Sequence, residues 1–279
     1  MTDGISNEQS SEIMAFRRDD TPLDQLLRLT TTSSVLSNVA NTIDSSDNHA
    51  CQCFLEDCLA QRDRILAWYS RWENDIGGSP ALLEGHGFPF SNLSPTDDLF
   101  GSAYFFSSCD NARLLLIFFN AMRLVHPLIY QAKALVSPYA HNKLFDDEDY
   151  LLEGYYADQI ARSIPYCLRD EHQSCFAHLS VILVTQLSKT YIDLRSPGRF
   201  MWCQEGFEVI ASIGFICASH LKAIMLERWI RAGLPGPISI SAADSGAKGE
   251  RLEIPSLPSF MSFPTAAIGL TSQGANSKP

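Results

Sequence analysis

The strongest constraint on the fold is the stretch of residues 150–222, which combines apolar side chains with helical spacing. Near its end, apolar residues recur every three to four positions, at Val209/Ile210, Ile213, Cys217, Leu221 and Ile224/Met225. This spacing places them on one face of an α-helix, so it predicts a buried stripe on a single long helix over residues 197–231. Shorter helices are predicted over residues 150–168 and 174–192. The region therefore predicts a helical core.

Two more helices are predicted before this core. One covers residues 51–76 and ends at a Gly-Gly-Ser-Pro sequence, and the other begins near Asp97 or Asp110 and continues to Leu135. Pro127 is expected to kink or interrupt the second helix, because proline lacks a backbone donor and clashes with the preceding turn. The predicted fold class is all-α, a multi-helix bundle of long helices that are in part kinked by proline.

The two ends of the chain differ in composition from the middle. Residues 1–48 are mostly polar, with a short amphipathic piece at residues 23–29, and predict a mobile arm that contains one docking helix. Residues 233–279 hold six of the 14 prolines and few charges, which predicts a disordered tail. The helical domain is expected to cover residues 49–232.

Charge and apolar content restrict the classes of partner. The formal net charge of −11 argues against direct nucleic-acid binding, because phosphate contacts need a basic surface. The longest apolar runs, residues 114–119 and 209–221, are shorter than the roughly 20 residues of a membrane span, and the first 20 residues lack a signal-peptide pattern. Most of the eight cysteines lie in apolar helical patterns, which favours buried, reduced thiols inside a cell. No membrane association is expected.

One segment carries a family resemblance. Residues 156–168, YADQIARSIPYCL, resemble the central part of the fungal-specific transcription factor domain, a helical region that usually follows a zinc binuclear-cluster DNA-binding head. Residues 53–69 and 200–203 resemble the same domain more weakly. Together the similar segments span about the middle three quarters of the chain. It implies a nuclear protein that controls transcription, often of a biosynthetic gene cluster.

The cysteines do not match the zinc head of that family. The head needs six cysteines in two C-x2-C pairs among basic residues, whereas Cys51, Cys53 and Cys58 follow a C-x-C-x4-C pattern next to acidic residues. With His49 they could supply four zinc ligands, but on one helix these side chains would point in different directions. We therefore expect no metal and no cofactor, and core packing is the favoured role of this helix.

Catalytic motifs give no clearer signal. The acidic run of residues 146–149 is similar to the aspartate-rich motif of terpene synthases, but no second metal motif follows in residues 200–231. We interpret the run as a favourable acidic start of the next helix. Nucleophile-elbow, zinc-protease, phosphate-loop and dinucleotide-binding patterns are not found in the sequence.

Polar side chains inside the apolar helices are the candidate site residues. Gln159, Arg162 and Tyr166 share one helix face at spacings of three and four residues. Arg199, Trp202 and Glu205 share another at spacings of three residues. Buried polar groups need hydrogen-bond partners, so ion pairs and hydrogen bonds between helices are the favoured interpretation. The alternative is the wall of a small-molecule pocket, which would combine aromatic lining with a few polar groups.

These observations favour a regulatory or interaction protein. It would act in the nucleus through protein partners, among them a DNA-binding transcription factor, and a homodimer stays open as an alternative. The competing hypothesis is a helical, otherwise cytoplasmic enzyme or binding protein for a hydrophobic metabolite, in which Arg162, Tyr166, Trp202 and Glu205 would act as acid, base or orienting groups.

Overall fold

The computed structural model describes residues 20–79, 81–84, 97–100, 103–137 and 148–234. The helices are α1 (Pro22–Ala40), α2 (Asn48–Asp75), α3 (Asp97–Phe100), α4 (Cys109–Val136), α5 (Glu148–Cys167), α6 (Gln173–Asp193), α7 (Pro197–Ser212) and α8 (Cys217–Arg231). Two short strands are present, β1 (Ala81–Glu84) and β2 (Ala103–Phe106). The predicted all-α, multi-helix fold is therefore confirmed.

Helix α4 is the centre of the first half of the fold. It packs against α1, α2 and α5, and its apolar residues are buried around most of its circumference. Pro127 lies inside α4 and the helix continues past it, so of the two predicted effects, a kink or an interruption, an interruption does not occur. Packing on several sides offsets the roughly 3 kcal/mol that an internal proline costs. By length and composition α4 could also cross a membrane, but 72% of its most apolar window is buried inside the protein.

Helix α1 corrects the prediction of a mobile arm over residues 1–48. Thr21 caps the helix through a reciprocal pair of contacts with Asp24, and Pro22 occupies the first turn. Leu26 and Leu29 are buried where α1 packs against α2 and α4. The domain boundary at residue 48 is thus wrong for Pro22–Ala40, which belong to the helical body. The predictions for residues 1–19 and 235–279 lie outside the described residues.

Helices α7 and α8 correct the prediction of one helix over residues 197–231. A turn separates them, and Gly214 has a φ of +105° there, a conformation that side chains other than glycine rarely adopt. The turn changes the phase of the helical pattern, so that Cys217 and Ile224 are exposed and Leu221 is only half-buried. Met225, which the predicted stripe included, is buried, and Ala218 and Trp229 complete the buried face of α8.

The two strands form an antiparallel pair in a region that the sequence predicted as loop and helix. Ala81 pairs with Phe106, and Glu84 pairs with Ala103. Side chains alternate along β2, so that Tyr104 and Phe106 are buried while Phe105 is exposed. Strand β2 packs against α5 and thereby brings Tyr104 to the polar residues of that helix.

Candidate functional site

Gln159 and Arg162 of α5 lie together and contact Tyr104 of β2. Arg162 Nη1 donates to the Tyr104 hydroxyl at 3.2 Å and to Gln159 Oε1 at 3.1 Å, and the Tyr104 hydroxyl donates to the same Oε1. The Arg162 guanidinium carbon also lies 4.4 Å from the centre of the Tyr104 ring, within cation–π distance. Burial raises the pKa of Tyr104, although Arg162 opposes the shift. The three side chains therefore satisfy one another between helix and strand.

Arg199 is placed elsewhere, against Asp158 of α5. Its Nε donates to Asp158 Oδ1 at 2.9 Å and its Nη2 donates to Oδ2 at 2.8 Å, while the Tyr191 hydroxyl donates to Oδ1 at 3.0 Å. This is the two-point geometry by which a planar guanidinium binds a carboxylate. Burial raises the pKa of Asp158, and Arg199 opposes this shift. The group, which we call the Asp158 cluster, joins α5, α6 and α7.

Trp202 is linked to the Asp158 cluster through Phe100, whose ring lies 5.8 Å from the Arg199 guanidinium carbon, whereas Glu205 lies on the far part of α7. Trp202 is buried, with its ring edge-to-face against Phe100 at 5.0 Å between centroids. Glu205 is half-buried on α7. Burial and the nearby Glu208 raise the pKa of Glu205 from 4.5 to about 7, and Lys222 opposes the shift. Glu205 is thus the predicted site residue whose carboxyl titrates near neutral pH.

Replacement of Glu205 by Gln should stabilise the protein at high pH only. Because the folded-state pKa is raised, the protonated carboxyl favours folding below pH 4.5, and this advantage is lost as the pH rises to about 7. Removing the charge should therefore increase the free energy of unfolding on the order of 1 kcal/mol at about pH 8, after allowance for solvent screening, and hardly at all near pH 4.

Urea denaturation of both proteins at the two pH values measures this difference. Glu227→Gln is the matched control, since Glu227 is exposed and pairs with Arg231 on the surface. An equal effect of Glu205→Gln at both pH values would contradict the assignment of the raised pKa to this carboxyl.

Tyr166, the remaining predicted residue, lies at the far end of α5 among aromatic rings. Its ring stacks on His172 at 4.2 Å and meets Phe106 edge-to-face at 4.9 Å. Burial raises the pKa of Tyr166 to about 12, and Cys109 adds to the shift through its charge and a hydrogen bond. The structure thus separates Tyr166 from Gln159 and Arg162, with which the sequence had grouped it.

The surroundings of Tyr166 contain a thiol and an imidazole in contact, which the sequence did not predict. Cys109 Sγ lies 3.5 Å from His172 Nδ1, and His172 Nε2 lies 3.8 Å from Glu171 Oε1. Cys109 is half-buried and is the first residue of α4, directly after the capping residue Ser108. A Ser-Ser pair followed by Cys at a helix start was the available signal, but the histidine is 63 residues away in sequence.

A second polar group missing from the sequence predictions lies around Arg123 of α4. Arg123 is almost fully buried, and its Nη1 donates to Thr190 Oγ1 at 2.9 Å. Thr190 in turn donates to Glu153 Oε1 at 3.2 Å, while Asn120 and Gln186 accept further hydrogen bonds from Arg123. Burial lowers the pKa of Arg123 and raises that of Glu153, each opposed by the other's charge. This network joins α4, α5 and α6.

Most of these polar side chains therefore bind one another across helix boundaries. Gln204 of α7 differs, because it is buried and neither its amide nitrogen nor its amide oxygen has a hydrogen-bond partner within the described part of the chain. An unsatisfied buried amide costs on the order of 1–3 kcal/mol. Of the candidate pocket residues, Gln159 and Arg162 bind Tyr104, Arg199 binds Asp158, and Tyr166 packs among aromatic rings.

Within the described residues, no group of three or more His, Cys, Asp or Glu side chains is arranged to hold a metal ion. Cys51 and Cys58 are buried on α2, whereas Cys53 is exposed. Of the acidic run, residues 146 and 147 lie outside the described residues, and α5 begins at Glu148.

In comparisons with known proteins, no protein-family model, curated protein or solved structure matches the chain.

Proposed function

We propose that this protein is a helical transcriptional regulator or co-regulator that acts through protein partners rather than by direct DNA contact. The observation that carries the proposal is that three of the six candidate pocket residues are paired inside the protein: Gln159 and Arg162 with Tyr104, and Arg199 with Asp158. These contacts hold the helices and the strand together, which gives the three side chains a structural role. The resemblance of residues 156–168 supplies the proposed biological role, control of a biosynthetic gene cluster in the nucleus.

The charge of the chain supports a separate DNA-binding subunit. A net charge of −11 repels DNA phosphates, but it attracts a basic protein and increases the rate at which the two meet. DNA-binding subunits carry such basic surfaces. The acidic chain and a basic partner would therefore divide regulation and DNA recognition between them.

The outer face of α1 offers apolar surface for such a partner. Leu27, Val35 and Val39 are exposed on α1, at 46%, 55% and 40%, and all lie at multiples of four residues from one another. Residues at that spacing form a continuous ridge along a helix, the surface that fits the groove of another helix. We call Leu27, Val35 and Val39 the α1 ridge and propose that an apolar helix of the DNA-binding subunit packs on it.

A gene deletion with two kinds of rescue tests this function. In a deletion strain, expression of the pathway genes from a constitutive promoter should restore the pathway's product, because a regulator is needed only for transcription. If an intermediate accumulates despite normal transcript levels, the chain catalyses a step, and the enzyme hypothesis replaces this one.

Rescue with variants of the chain locates the contact. Val35→Asp on the α1 ridge should lower pathway transcripts and recovery of the DNA-binding subunit, since a charge in an apolar contact is costly. Ile182→Asp places the same charge at a comparably exposed apolar residue of α6 and should leave both unchanged. Equal loss with the two variants would contradict a partner site on α1.

A further inference from the structure

Cys109 lies at the start of a helix and in contact with an imidazole. It is the first residue of the 28-residue helix α4, where the helix dipole stabilises negative charge. Its Sγ lies 3.5 Å from His172 Nδ1, so the imidazole can accept the thiol proton. Cys109 remains half-buried, whereas the neighbouring Cys167 is fully buried. Of these two thiols, Cys109 is the one that a reagent can reach.

His172 is held in the orientation that this proton transfer needs. One face of the ring stacks on Tyr166, at 4.2 Å between centroids. Glu171 Oε1 lies 3.8 Å from Nε2, beyond hydrogen-bond distance. In the tautomer with its proton on Nε2, the Nδ1 lone pair is free to accept the thiol proton.

We propose that Cys109 and His172 form a nucleophilic thiol site that accepts an acyl group from an activated ester or thioester. The exposed ring of Phe105 supplies apolar surface beside Tyr166 for the acyl chain, and the Arg169 guanidinium lies 5.4 Å from the centre of that ring. Nucleophile and base here follow the pairing on which thiol acyl-transfer sites depend. This site is independent of the function proposed above.

The reaction balances with water as the second reactant. The thiol proton passes to His172 Nδ1 while Cys109 Sγ attacks the carbonyl carbon to give a tetrahedral oxyanion. The bond to the leaving alcohol, or to the leaving thiol of a thioester, then breaks and takes the imidazolium proton, which leaves a thioester on Cys109. Water attacks this thioester with His172 as base, the carbon–sulfur bond breaks, and the proton returns to sulfur. The net products are one carboxylic acid and one alcohol or thiol.

Other cysteines of the same chain provide internal controls. Cys217 is exposed and is also the first residue of a helix, α8, but no histidine contact to it is found in the described residues. Cys175 is exposed as well. If accessibility or the helix dipole alone determined reactivity, Cys217 would react at least as fast as Cys109.

Mass spectrometry of the 279-residue chain tests the site. After brief exposure to p-nitrophenyl butyrate and acid quenching, the butyryl group should be found on Cys109 and not on Cys217. Alkylation by iodoacetamide at about pH 6 should be roughly 100-fold faster at Cys109 than at Cys217, the lower range of a general-base effect, and His172→Gln should remove most of this difference. Glu171→Gln, at an exposed residue, should slow Cys109 less and keep the fold intact.

The reaction rates of Cys109 and Cys217 in the unmodified chain test the proposal even if His172→Gln fails to fold. Equal alkylation rates and equal acylation at Cys109 and Cys217 would overturn the proposal, because Cys109 would then be an ordinary thiol. A normal alkylation profile in folded His172→Gln would overturn the role of the imidazole.

Discussion

Replacement of Asp158 by Ala should lower the free energy of unfolding by about 3 kcal/mol. The change leaves the Arg199 guanidinium without its two-point partner and removes the acceptor of the Tyr191 hydroxyl. Removing one member of a buried ion pair typically costs about 3–5 kcal/mol, because the remaining charge is uncompensated. The Asp158 side chain is 18% exposed, which places the expected value at the low end. Chemical denaturation measures it.

Asp63 supplies the matched control for this prediction. It also forms an ion pair with an arginine, Arg62, at 2.9 Å, but its side chain is 64% exposed. Surface pairs contribute about 0–1 kcal/mol, so Asp63→Ala should change little. Similar losses at the two positions would show that the Asp158 cluster is as well solvated as the surface pair.

Replacement of Trp229 by Ala should cost about 3–5 kcal/mol, the range for deletion of a buried aromatic side chain. Trp229 is 1% exposed and stacks on Phe200 at 4.3 Å, which joins α8 to α7. The next residue, Ile230, is 57% exposed, and Ile230→Ala should stay within about 0.5 kcal/mol. Thermal and denaturant unfolding measure the free energy of unfolding of the two variants. A small effect at Trp229 would place this face of α8 outside the core.

Apolar periodicity predicted the helices correctly where it was uninterrupted, and it failed where an apolar run continued through a turn. The predicted helices over residues 51–76, 150–168 and 174–192 agree closely with α2, α5 and α6, because each has several uninterrupted turns of apolar spacing. The prediction over residues 197–231 failed because an apolar run continues through the turn at Gly214. A single glycine in a helical pattern does not by itself indicate a reversal.

The polar composition of α1 led to the prediction of a mobile segment where the structure has a packed helix. The run of Thr and Ser from Thr30 to Ser34 suggested a mobile segment, but in the structure these hydroxyls donate to carbonyls one turn earlier in the helix. Only a narrow face, with Leu26, Leu29 and Leu36, supplies the buried contacts. A helix with such a narrow apolar face is stabilised by the neighbours against which it packs, which a local window does not contain.

The candidate site was predictable in its residues but not in its partners. The spacing of Gln159 and Arg162 indicated that both share a face of one helix, and they do bind each other. Their partner Tyr104, however, belongs to a four-residue strand more than 50 residues earlier in the chain. The contact between Cys109 and His172 is equally nonlocal, and neither residue stands in a recognisable motif.

The central claim is that the polar interior of this protein holds its helices together, while the regulatory function that we propose for it depends on its surface. Replacing the whole Asp158 cluster tests this claim most directly, with Asp158→Leu, Tyr191→Phe and Arg199→Met combined in one chain. Apolar replacement of a complete buried ion pair is often neutral or stabilising, so this variant should recover most of the stability that Asp158→Ala loses. It should also restore pathway transcripts in the deletion strain to the level of the unmodified chain. A folded triple variant that fails to restore transcripts would contradict the claim, because the polar cluster itself would then take part in function.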